Sequence, residues 1–72
     1  GPKSTAWLNE IGIYDLAALE TVGVVEAFQL IRGHHANASL NLLWSLEGAV
    51  TGVPWDQIDK ATKARLKRDI GY

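Results

Sequence analysis

The segment Ser39-Leu40-Asn41-Leu42-Leu43-Trp44-Ser45-Leu46-Glu47-Gly48-Ala49-Val50-Thr51-Gly52 places apolar side chains at 40, 42, 43, 44, 46, 49 and 50. Wound as an α-helix, these positions cover most of the circumference and leave a thin strip of Asn41, Ser45, Gly48 and Gly52. A helix that is apolar nearly all round belongs at the centre of a domain. The segment therefore predicts a central helix over about residues 39–51, with Leu40, Leu43, Trp44, Leu46 and Val50 among the most buried positions. Asn37 or Ser39 is suited to cap its start. Gly48 and Gly52 lie one turn apart, so either a neighbouring backbone comes close or Gly52 serves as the C-cap.

Outward from this helix, Gly12, Gly23, Gly33, Pro54 and Gly71 punctuate the chain into short pieces with helical spacing. From Pro2 to Ile11, Trp7, Leu8 and Ile11 share one side, and Gly12 supplies the stop. Asp15 caps a piece of barely two turns carrying Leu16, Leu19 and Val22. Val24, Phe28 and Ile31, flanked by Val25, form a third stripe ending at Arg32 and Gly33. The loop Gly33-His34-His35-Ala36 leads into the central helix. Residues 54–58 read as a turn or one helical turn, after which Asp59 caps a helix over Lys60 to Ile70 whose Ile58, Thr62, Leu66 and Ile70 face inward. No run alternates over five residues, so strands are not expected. The fold class that follows is all-α, about five short helices packed around the central one.

Composition bounds the rest. A chain of 72 residues, 47% hydrophobic and without Cys or Met, makes a single domain over 1–72. A domain of this size hides only about 60% of the surface its unfolded chain exposes, so its core must be efficient. Without Cys there is no disulfide or thiolate metal site, which suits a reducing cytoplasm. The longest uncharged stretch, Gly33 to Leu46, holds two His, two Asn and two Ser, and falls short of the roughly 20 apolar residues that span a bilayer. The absence of any Met implies a fragment, a processed product or the ordered part of something longer.

Charge is polarised. Residues 1–59 carry Lys3 and Arg32 against seven acids, whereas Lys60, Lys63, Arg65, Lys67 and Arg68 face only Asp69 in the remainder. An acidic body with a basic last helix can orient a partner. Cations in the final turns of a helix also simply favour its negative end.

Gly-Pro-Lys-Ser (1–4), Trp-Leu-Asn-Glu-Ile-Gly-Ile (7–13) and above all the 39–52 segment followed by Trp55 resemble the C-terminal domain of the TfoX/Sxy proteins. The resemblance covers about residues 1–58, with 39–52 its specific part. It implies an all-α bacterial cytoplasmic module that often follows a separate N-terminal α/β domain and is associated with regulation of competence and DNA uptake. The opening also resembles the second half of a helix-hairpin-helix motif, which extends the fold expectation to helix-hairpin-helix/SAM-like. In that motif, exposed backbone N–H groups at a helix start and a Lys receive a DNA phosphate. Gly1, Pro2, Lys3 and Ser4 match the last part of its turn, while the first helix and the earlier Gly have no counterpart. Gly1-Pro2 is equally what protease removal of a tag leaves behind, which would make Lys3 the first native residue.

Candidate chemistry is sparse. His34 and His35 are adjacent with no carboxylate nearby in sequence, so a solvated loop is expected rather than a metal site. Asp56 and Asp59 are accounted for as a first-turn acid and an N-cap, and Glu47 as a partly exposed helix residue. No nucleophile–base spacing or phosphate-binding Gly loop occurs, so no enzyme and no cofactor are expected. Trp44 reads as core, whereas Trp55 beside Pro54 is the aromatic that can stay exposed and anchor a partner. Two functions follow. The favoured one is a regulatory module binding a protein, either a transcription-linked regulator or an absent N-terminal domain. The other is direct DNA binding through Gly1, Lys3 and Ser4 and through Lys60, Lys63, Lys67 and Arg68, against which stands a sequence pI of about 6.1.

Overall fold

The computed structural model describes residues 2–72 and contains helices α1 (Pro2–Glu10), α2 (Leu16–Val22), α3 (Val24–His34), α4 (Leu40–Thr51) and α5 (Lys60–Asp69), with a 3₁₀ turn at Trp55–Gln57 before α5. Among the described residues there is no strand. The all-α expectation with five helices holds, with ends shifted by a few residues.

Aspartate oxygens start two of the helices. Asp15 Oδ1 accepts the Ala18 N–H at 2.8 Å and Asp59 Oδ1 accepts the Thr62 N–H at 2.7 Å, satisfying donors that the first helical turn leaves orphaned. At α4 the N-cap is Ser39, which makes no side-chain capping bond. Gly52, at φ 77°, is the left-handed C-cap of α4 and its N–H reaches the Gly48 carbonyl at 2.8 Å. A Cβ on Gly48 would lie 2.5 Å from the Val53 carbonyl oxygen. Both readings of the glycine pair therefore apply: Gly52 reverses the chain, and Gly48 lets the reversed chain lie directly on the helix.

The core is built around α4, which contributes Leu42, Leu43, Trp44 and Leu46. Val24, Ala27, Phe28 and Ile31 of α3 pack against it, with Leu19 of α2, Leu66 of α5, and Ile13, Ile58 and Ile70 closing the ends. Burying a side chain such as Phe28, Ile31, Leu43 or Leu66 completely contributes about 1.5–3 kcal/mol. Arg32 ties α3 to the far end of α5 by donating to the Ile70 carbonyl at 3.0 Å.

Several sequence expectations need correction. Leu40 and Val50 are half-buried, while Leu42 is buried. Leu40 opens the helix, and Val50 faces a shallow groove shared with Gly23, Val24 and Val25. Glu47, expected to be partly exposed, is 9% accessible, because α5 covers it and brings Arg65 Nη2 to 3.5 Å from its carboxylate. On α2, Leu19 is buried and Ala18 packs against the core, while Leu16 and Val22 are exposed. Gly33 does not end α3, which continues to His34.

Hydrogen bonds from the Thr62 side chain and backbone N–H hold the Asp59 carboxyl below its ordinary value of 3.8, with Arg65 pulling the same way. A carboxylate favoured by the fold stabilises it fully above that ordinary value and loses its contribution as pH falls through the depressed folded-state value. We expect Asp59→Ala to lower the thermal midpoint at neutral pH, and the gap from the parent chain to close as pH drops below about 3.8. A gap unchanged down to strongly acidic pH would remove the cap from the account.

Candidate interaction surface

The turn after α4 holds Trp55 outward. Thr51 Oγ1 accepts the Val53 N–H at 3.3 Å and the Pro54 carbonyl accepts the Gln57 N–H at 2.9 Å. The close approach over Gly48 fixes this backbone against α4. Val53, Pro54 and Trp55 are all exposed, Trp55 at 49%. The aromatic singled out from sequence is therefore displayed on a rigid support rather than absorbed into the core, which is where Trp44 lies.

The cations fall into two groups. Gly1 lies outside the described residues. Lys3 and Ser4, at the start of α1, line an open cavity of about 240 Å³ with Trp7, Asn37, Ser39, Asn41, Leu42 and Ser45. The Lys3 ammonium stands 4.9 Å from the Trp7 ring centre. On α5, Lys63 stands 5.3 Å from the Trp44 ring and Lys67 5.6 Å from the Tyr72 ring, contacts that favour the cation over the ring face. Arg65 is engaged with Glu47 and Asp69. Lys60 and Arg68 are exposed and form no ion pair among the described residues. Lys3 shares its cavity with the Asn41–Ser45 edge of α4, whereas α5 lies along the Trp44 and Glu47 edge.

Sequence reasoning missed a second cluster. His35 was expected in a solvated loop. Instead its ring stacks on Trp7, with centroids 4.1 Å apart and planes 12° apart. Its Nε2 lies 2.8 Å from Glu10 Oε2; a carboxylate only accepts, so Nε2–H donates. Lys3, Trp7, His35 and Glu10 form one continuous tie between α1 and the end of α3. The partners stand 25 positions apart for the hydrogen bond, which no local spacing reveals. His34, the last residue of α3, is exposed as expected. No group of three or more His, Cys, Asp or Glu that could hold a metal ion occurs among the described residues.

A family model described as the TfoX C-terminal domain matches residues 1–70. No curated protein and no solved structure matches the chain.

Removing the His35 ring should cost stability, and removing that of His34 should not. Stacked aromatic pairs contribute about 0.5–1.5 kcal/mol and a hydrogen bond about 1, so His35→Ala is expected to destabilise by about 1–2 kcal/mol. In a domain of this length that lowers the thermal midpoint by several degrees. Equal midpoints for His35→Ala and His34→Ala would show that the tie carries no stability.

Proposed function

Because the chain belongs to the TfoX C-terminal domain family, a non-enzymatic regulatory domain type of competence and DNA transformation, we propose that it acts by binding a protein partner in transcription control. The carrying observation is the rigidly held, exposed Val53-Pro54-Trp55 segment. Interfaces draw most of their binding energy from a few large anchors, tryptophan foremost. A Trp whose backbone is already fixed by contact with Gly48 loses little further freedom on binding. The partner is a transcription-linked regulator or an N-terminal domain of the same protein. A cytoplasmic setting goes with that role, and no helix among the described residues is long and apolar enough to cross a membrane.

A second reading, sequence-nonspecific DNA binding of the helix-hairpin-helix/SAM-like kind, is favoured by the polar side chains of Lys3, Ser4, Asn37, Ser39, Asn41 and Ser45 around one cavity, which Trp7 and Leu42 also line. Hydroxyl, amide and ammonium donors around one cavity suit a phosphate oxygen. Against it, three of the candidate cations (Lys3, Lys63 and Lys67) stand over the chain's own aromatic rings, and the α5 group flanks a different edge of α4 from Lys3.

The two readings separate by salt and by anchor. Under the protein reading, Trp55→Ala weakens the partner complex by about 2 kcal/mol or more, while Lys63→Glu with Lys67→Glu acts mainly on the association rate. Duplex DNA then gives no complex at micromolar protein and physiological salt in fluorescence anisotropy. Micromolar or tighter duplex binding that is lost in Lys3→Glu, with each Lys removed lowering the slope of log K against log salt by about 1, would reverse the ranking.

A further inference from the structure

On the side of the domain formed by α1 and α2, Leu8, Ile13, Leu16, Leu19 and Ala49 wall an open groove of about 220 Å³, with Tyr14 and Asp15 at its edge. Tyr14 is 76% exposed and Leu16 48%. Two large apolar side chains so placed over an apolar floor form a patch that a partner can cover. The rim is acidic. Asp15 lines the groove, Glu20 lies one helical turn beyond Leu16 on the same face of α2 and is exposed, and no Lys or Arg lines the groove. This is the acidic body of a charge-polarised chain, whose residues 1–59 carry seven acids against two basic side chains.

We propose that this groove docks a basic amphipathic helix of the partner, seating apolar side chains at helical spacing against Leu16, Tyr14 and Leu8 while Lys or Arg residues flank them opposite Asp15 and Glu20. Charge complementarity selects this occupant over an acidic or neutral segment, because an apolar helix bearing carboxylates would meet the like charge of Asp15 at the groove and that of Glu20 beyond it on α2. Helix-in-groove recognition of this kind needs two or three anchors one turn apart, and Tyr14, Leu16 and the Leu8–Ala49 floor supply their receptors. The inference rests on the protein-binding reading and names the chemistry of the protein bound.

The test uses the full chain and two 14-residue probe peptides, one of leucine at helical spacing with lysine elsewhere, the other the same with glutamate for lysine. Amide resonances are followed during titration. The leucine/lysine peptide is expected to shift Ile13 to Leu19 and Ala49 first. Leu16→Ser is expected to weaken its binding at least tenfold, and Glu20→Lys severalfold with a smaller dependence on salt. Thermal unfolding of both variants checks that the fold is kept, and because Leu16 and Glu20 are exposed, their midpoints should stay near that of the parent chain. Equal affinity for the leucine/glutamate peptide, or lysine-peptide shifts that spread over the surface and ignore Leu16→Ser, would overturn the proposal. So would a concentration-dependent dimer in sedimentation that Leu16→Ser abolishes, since the groove would then hold a second copy. A partner complex weakened by Trp55→Ala but indifferent to Leu16→Ser and Glu20→Lys would sink this proposal while sparing the protein-binding reading.

Discussion

Helix α4 is apolar on almost every side, and a chain of 72 residues has to cover it with what is left. That constraint governs the other positions in the fold. Helices α2 and α3 turn their apolar faces onto it, α5 closes over Trp44 and Glu47, and the segment after Gly52 folds back so closely that only a residue without a Cβ fits at 48. The close approach removes space that a domain this small cannot leave empty. It also fixes the backbone that displays Trp55, so the packing requirement and the candidate interaction site meet at one glycine.

What the sequence made legible is what depends on local periodicity and capping. The all-apolar segment, the capping aspartates at 15 and 59, and the inward stripe Ile58, Leu66, Ile70 are properties of neighbours along the chain. What it did not disclose depends on which helix lies against which. Glu47 reads as a partly exposed residue on α4 and is buried beside α5, whose Arg65, 18 positions away, approaches its carboxylate. His35 reads as loop and is claimed by Trp7 and Glu10. Leu16 and Val22 share α2 with the buried Leu19 and are left exposed. The same missing tertiary information hid the α1–α2 groove, whose exposed Leu16 and Tyr14 have no signature in composition.

The surface that results is unequal. Cations on α5 and at Lys3 lean over aromatic rings of their own chain, while the apolar side chains that the core did not absorb stand free at Trp55 and beside Tyr14. For a non-catalytic regulatory domain, function lies in what it presents to others, and this fold presents apolar anchors on an acidic body with a basic terminal helix. In the protein-binding function proposed above, the polarity orients an approaching partner and the anchors retain it.

The central claim, that α4 is the element on which the whole fold depends, is tested most directly by native-state hydrogen exchange. Its amides from Leu43 to Glu47 should exchange only through global unfolding, with opening free energies equal to the total stability measured by denaturant. Amides of α1 and α2 should open at lower cost. Exchange from Leu43 to Glu47 that runs faster than in α1 or α5 would contradict the claim and place the cooperative core elsewhere.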